Sequence, residues 1–161
     1  MNISIDLQKV SLTNIYFSDK KRNIIMDGNF TKILYSNEWF TMNGLYVLFP
    51  IEKLQNDKNI HNNLLKFNPY QSNNLHIVQD FSKLEYRIIE YYKNTYHCKC
   101  KVSNFLSKQL YSGSMKLYKE AHSIDSEKKN VLFIIKISGV WETAEDVGLT
   151  FKLIEVSENY L

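Results

Sequence analysis

Basic and aromatic residues recur side by side in this chain. Tyr16-Phe17 stands just ahead of Lys20-Lys21-Arg22, Trp39-Phe40 precedes the turn signal Asn43-Gly44, and Tyr111 and Tyr118 lie around Lys116 and Lys119. Single-stranded nucleic acid is held by this combination: bases stack on aromatic faces for roughly 1–3 kcal/mol each, while ammonium and guanidinium groups track the phosphates. These residues are the candidate nucleic-acid-binding set. Two plainer uses compete with it. Aromatic side chains fill protein cores, and Lys20-Lys21-Arg22 also suits the polar tip of a hairpin.

His97-Cys98-Lys99-Cys100 has the residue types of a zinc site, but structural zinc ligands are usually spaced C-x2–4-C with a second ligand pair elsewhere. The C-x-C spacing is tighter. On a strand both cysteines would face one way and His97 the other, leaving His61, His76 and His122 to converge from scattered loops. Two core cysteines are expected, with no metal and no cofactor. No G-x-S-x-G, Walker loop, G-x-G-x-x-G or H-E-x-x-H occurs. Glu142, Glu145 and Asp146 gather carboxylates in one apparent turn without a histidine near them in sequence, so a non-enzymatic protein is expected. Those acids would also repel phosphates, which sets the Trp141 end apart from any groove; Trp141 itself could cap the barrel or stack a base, and packing is the favoured reading.

Charge is spread unevenly. Residues 98–136 hold eight lysines against three acids, and residues 137–161 hold one lysine against five acids. The overall +3 permits a polyanionic partner without requiring one. Abundant Lys, Asn, Ile, Tyr and Phe reflect in part the codons of an AT-rich genome, so their number alone is discounted as a functional signal. With 44% hydrophobic and 23% charged side chains the chain is unlike a disordered one, and 161 residues suit one domain. There is no apolar run of the ~18 residues that a membrane helix needs and no charged-then-apolar leader pattern. Cys98 and Cys100 make no disulfide framework. A soluble, intracellular protein with no membrane partner is expected.

The elements that must position these residues are strands and one helix. Runs rich in β-branched and aromatic residues, from Ile3 to Leu7, Asn14 to Phe17, Asn29 to Tyr35 and Gly44 to Ile51, are separated by Ser18-Asp19, Asp27-Gly28 and Asn43-Gly44. Residues 55–74 are polar, Asn-rich and aperiodic, which predicts a loop with at most a short helical turn around His61 to Phe67. Asp80 then stands where an N-cap belongs. Phe81, Leu84, Ile88, Tyr91 or Tyr92, and Tyr96 recur every three or four residues, predicting the principal helix from about Asp80 to Tyr96. Strand chemistry returns from Cys98 to Val102, Met115 to Tyr118, Val131 to Ile137 and Leu149 to Val156, the last two expected to pair. Without a repeat or a flexible linker, residues 1–161 read as a single domain.

Strands, one helix, then further strands is the element order of an OB-fold, a five-stranded Greek-key barrel that binds oligonucleotides. The stretch Val131-Leu-Phe-Ile-Ile-Lys-Ile-Ser-Gly139-Val-Trp141, followed by Gly148-Leu-Thr-Phe-Lys-Leu-Ile-Glu-Val156, covers about the last quarter of the chain. It resembles the closing strands of phage-type single-stranded-DNA-binding proteins and their relatives in nucleocytoplasmic large DNA viruses, where a glycine and an alternating strand complete the barrel. The resemblance implies a mainly β, OB-like five-stranded Greek-key barrel, with the principal helix between the third and fourth strands. It further implies a non-enzymatic protein that binds single-stranded DNA, or RNA, in viral DNA replication, repair or recombination. Such a protein would work as a homo-oligomer or with replication proteins, in the host cytoplasm or nucleus. The alternative is a β-rich viral structural or scaffold protein that oligomerises through a strand edge or binds protein partners.

Overall fold

The computed structural model describes residues 4–25, 27–54, 63–119 and 131–157. In chain order its elements are β1 (Ile15–Phe17), β2 (Lys21–Asn23), β3 (Gly28–Ser36), β4 (Thr41–Met42), β5 (Leu45–Leu48), β6 (Leu64–Lys66), α1 (Ser72–Tyr96), β7 (Lys101–Ser103), α2 (Phe105–Ser112), β8 (Ser114–Lys119), β9 (Val131–Thr143) and β10 (Asp146–Ser157). The chain is mainly β, as the strand-forming runs require. β9 and β10 form the expected hairpin and the middle of the sheet. From there the sheet runs β1-β3-β9-β10-β8-β6, with β2 and β4 on β3, β5 on β9 and β7 on β10. β3 and β5 lie antiparallel to β9, whereas β7 and β8 join β10 in parallel.

The described sheet is thus open and mixed, with ten strands and two helices where the element order suggested five strands and one helix. The extra strands are short: β2, β4 and β6 span two or three residues, too few for a period to show. α1 follows six strands, not three. From the expected first strand, Ile5 contributes one bridge to Val47, and Leu7–Lys9 is a single 3-10 turn. The expected helical turn around His61 falls partly outside the described residues, and within it β6 is extended. Of the stretch from Cys98 to Val102, only Lys101 and Val102 belong to a strand.

α1 begins at Ser72, ahead of the expected Asp80. Asn74 explains the difference. Its side chain is buried and donates to the carbonyls of Glu52 and Asn68, 3.0 Å each, while accepting the Glu52 N–H at 2.9 Å. Tertiary hydrogen bonds hold an Asn-rich segment in a helix that propensity alone disfavours. Asp80 sits inside the helix, 4.0 Å from Lys83, and caps nothing. The expected end at Tyr96 stands, with His97 closing the helix at φ 53°.

α2 is too short for periodicity to announce it, and its start depends on a distant residue. Glu85, buried in α1, accepts the N–H groups of Leu106 and Ser107 at 2.8 and 3.0 Å, and the Ser107 hydroxyl. The carboxylate satisfies donors that a helix start leaves open. Gly113 ends α2 at φ 72°, where a Cβ would also meet the Phe67 carbonyl oxygen at 2.5 Å.

The core lies between α1 and one side of the sheet. Phe49 meets Phe81 and Phe67 edge-on, with ring centres 5.3 and 5.8 Å apart. Each such ring contributes about 1.5–3 kcal/mol by burial. Ile33, Leu45, Val47, Ile135, Ile137 and Leu153 face the same core. Strand side chains alternate, so the residues between these point the other way. No helix among the described residues is long and apolar enough to cross a membrane.

Candidate nucleic-acid interface

The side of the sheet turned away from α1 collects lysines and rings. Ile135 and Ile137 are buried toward α1, so Lys136 between them points outward. Lys136 stands opposite Tyr46 of β5 on one flank and Lys152 of β10 on the other. Leu153 pairs with Leu117 in parallel, which brings Lys116 of β8 beside Lys152. Tyr46, Lys136, Lys152 and Lys116 therefore form one row across four strands, about 14 Å long at ~4.8 Å per strand step.

The row is built from cation–π contacts. The Lys136 ammonium lies 5.2 Å from the centre of the Tyr46 ring, while Lys152 and Lys116 lie 5.2 and 5.0 Å from that of Tyr118. None of these three lysines has an ion pair among the described residues. Glu142 and Glu155 keep the register of the inward residues Val140 and Leu153, so these two acids turn toward α1, whereas Asp146 at the start of β10 alternates with buried Val147 and keeps the register of Lys152. The outward side continues along β3, where Phe30 and Lys32 alternate with buried Thr31 and Ile33. Lys21 pairs with Phe30 there, and Tyr16 with Leu34.

Four of the sequence-derived candidates, Tyr16, Lys21, Lys116 and Tyr118, share this outward side. The others part from it. Phe17 turns inward onto Tyr91, Tyr92 and Tyr96, at ring distances of 5.3, 5.4 and 5.9 Å. Lys20 lies over the rings of Tyr92 and Tyr96 and pairs with Glu142 at 3.0 Å, so its charge is already matched. Arg22 alternates to the opposite side of β2 from Lys21 and sits 3.9 Å from Asp27. Trp39 is 85% exposed in the turn after β3, Phe40 packs on the core, and Tyr111 pairs with Tyr70 at 6.3 Å. Lys119 ends β8 on the register side opposite Tyr118. Trp141 pairs with Phe30 and so shares the outward side, contrary to the expectation that its end lies apart from the groove; there it packs, 5.9 Å from Phe105, with its Nε1 donating to the Leu149 carbonyl at 3.2 Å.

Sequence reasoning did not place Tyr46, Lys136 and Lys152 in the site. The available signal was a lysine interrupting each of two apolar strands, Ile134-Ile135-Lys136-Ile137 and Phe151-Lys152-Leu153.

A second polar cluster lies where the end of α1 meets β9. Glu142 Oε2 accepts the Tyr92 hydroxyl at 2.6 Å and Lys20 Nζ at 3.0 Å. Cys100 Sγ stands 4.0 Å from Glu142 Oε1 and 3.5 Å from the Thr143 carbonyl oxygen. Burial works against the Glu142 carboxylate, but its bonds from Tyr92 and Lys20 outweigh it and hold the pKa below the usual range. Burial and the bond to Glu142 push Tyr92 up. Lys20 is also raised, because Glu142 and Tyr92 outweigh the burial that opposes its charge. Burial, then the adjacent Cys98 thiol, pushes Cys100 up to about 11. The ligand atoms of Cys98, Cys100 and Glu142 all lie within 4.8 Å of one another. The C-x-C pair thus has a carboxylate partner that its neighbours in sequence do not disclose.

No family model, curated protein or solved structure matches the chain.

Proposed function

We propose that this chain is a non-enzymatic protein that binds single-stranded DNA or RNA on the outward side of its sheet. The row Tyr46, Lys136, Lys152 and Lys116 carries the reading: three lysines without acidic partners among the described residues, each laid against a tyrosine ring. Phosphates would take the ammonium groups, and bases would stack on Tyr46 and Tyr118 with little sequence preference. Tyr16, Lys21, Phe30 and Lys32 extend the track along β3. A role in viral replication, repair or recombination, and an OB-like barrel ancestry, rest on the resemblance of the β9 and β10 segments to phage-type single-stranded-DNA-binding proteins.

The test is fluorescence anisotropy with labelled single- and double-stranded oligonucleotides of about 30 nucleotides at low and high salt. The expected result is single-strand-selective binding that weakens steeply with salt. Replacing Lys116, Lys136 and Lys152 with alanine together should flatten the log–log salt slope by about 0.7 per lysine. An intact chain that binds nothing at low salt overturns the reading.

A second reading, a β-rich scaffold protein, is favoured by Ile24 and Ile25, 95% and 94% exposed in the turn between β2 and β3. Salt-insensitive self-association that disappears when both are changed to serine would establish it.

A further inference from the structure

We propose that Cys98, Cys100 and Glu142 bind one thiophilic divalent cation of the zinc class, clamping the end of α1 to β9. His97 leaves the helix in the left-handed conformation, which turns the following residues back across β9. Lys101 then ties down through its N–H to the Glu145 carbonyl at 2.8 Å. Between these fixed points both thiols reach the carboxylate, and the three ligand atoms lie within 4.8 Å of one another. Tetrahedral zinc, with Zn–S near 2.3 Å and Zn–O near 2.1 Å, holds its ligands roughly 3.5–4 Å apart. Closing the group by roughly 1 Å is within the reach of side-chain rotation.

The two oxygens of Glu142 already have separate duties. Oε2 takes the Tyr92 hydroxyl and Lys20, whereas Oε1 is the oxygen facing Cys100. A metal-ligating carboxylate is typically oriented in this way, by hydrogen bonds to the oxygen that does not bind the ion. Charge is accommodated too. A dication with two thiolates and one carboxylate leaves one net negative charge, and Lys20 stands 3.0 Å from that carboxylate. On binding, two S–H bonds break, two metal–sulfur bonds form, and both protons leave to solvent. All three residues are only half-buried, so solvent can fill the fourth position.

The reduced, chelator-treated chain is titrated with Co2+ and then with Zn2+. The expected result is a thiolate-to-cobalt band in the near ultraviolet with visible bands of a tetrahedral ion, saturating at one ion per chain and bleached by one equivalent of zinc. Cys98→Ser and Cys100→Ser should each diminish the thiolate band, and the double variant should abolish it. Tyr92→Phe should keep the bands but weaken affinity about 10- to 100-fold. Far-ultraviolet circular dichroism identifies variants that remain folded, and a zinc-induced rise in Tm of the intact chain, lost in Cys100→Ser, reads the same site independently. The proposal is overturned if the intact chain gives no thiolate band, if the band survives in the double variant, or if folded Glu142→Gln binds cobalt with unchanged affinity.

Discussion

Lys136 and Lys152 stand directly opposite each other across the β9–β10 hairpin. Like charges at that position are destabilising by roughly 0.2–1 kcal/mol, and an ordinary solvated face would set an acid against one of them. The arrangement makes sense if a polyanion supplies the missing charge. Lys136→Thr should therefore raise the Tm while weakening single-strand affinity and lowering the salt slope by about 0.7. Thermal melts and anisotropy on the same preparation check both halves. A stabilised variant with unchanged affinity would move the binding face elsewhere.

Lys20 and Lys21 are adjacent in sequence but do different work. Lys20 is bonded to Glu142 and covers Tyr92 and Tyr96, whereas Lys21 pairs with Phe30 on the outward side. Lys20→Ala should lower the Tm and leave affinity nearly intact. Lys21→Ala should do the reverse, with a loss of salt slope of about 0.7. Equal effects of the two substitutions would contradict the alternation of sides.

Glu85 and Ser107 make a connection of another kind, wholly structural. Glu85→Ala would leave the N–H groups of Leu106 and Ser107 and the Ser107 hydroxyl buried without an acceptor. Unsatisfied buried donors cost about 1–3 kcal/mol each, so a loss of at least about 2 kcal/mol is expected in urea unfolding. Glu85→Gln retains one acceptor oxygen and should lose less. Comparable stability of Glu85→Ala and the parent chain would show that α2 does not depend on this carboxylate.

What the sequence discloses here depends on how local the cause is. The β9–β10 hairpin could be read because Val131 to Ile137 and Leu149 to Val156 are long, apolar and separated by a turn, and the end of α1 because its apolar spacing runs out at Tyr96. The start of α1 could not, since Asn74 is helical by virtue of bonds to Glu52 and Asn68. Nor could α2, whose cap is Glu85. The site follows the same rule. Tyr16, Lys21, Lys116 and Tyr118 are found by type alone, but telling Lys21 from Lys20 and Arg22 requires the register of β2 on β3. Glu142 meets Cys100 across 42 positions, and only the sheet brings them together.

Gly148 is required by the ring across from it. A Cβ there would lie 2.6 and 2.8 Å from Trp141 ring atoms and 3.0 Å from the Ser103 carbonyl oxygen. Trp141 is held on its other side by Phe105 and through Nε1 by Leu149, so it cannot move away freely. Gly148→Ala should destabilise by about 1–3 kcal/mol, the usual cost of overpacking, and shift the tryptophan emission to the red. Unchanged emission and stability would mean that Trp141 is not seated as described.

The Glu142 cluster also sets how stability should vary with pH in the metal-free, reduced chain. Lys20, Tyr92, Cys98 and Cys100 face the carboxylate, and Lys93 adds positive potential at Cys100. The folded pKa of Glu142 is depressed below its ordinary 4.5, so its contribution is fully present above that value and is lost as pH falls through the folded one. Tyr92 and Lys20 have raised folded values; their contributions hold below their ordinary 10.0 and 10.5 and fade as pH rises through the folded ones. The stability difference between the parent chain and Glu142→Gln should therefore be widest between about pH 5 and 10, narrowing as pH falls below 4.5 and again as it rises above about 10. Urea unfolding from about pH 3 to about 11.5, with chelator and reductant present, measures it. A difference that stays constant below pH 4.5 would mean that the Glu142 charge contributes nothing, and that the Tyr92 and Lys20 bonds act only as neutral packing.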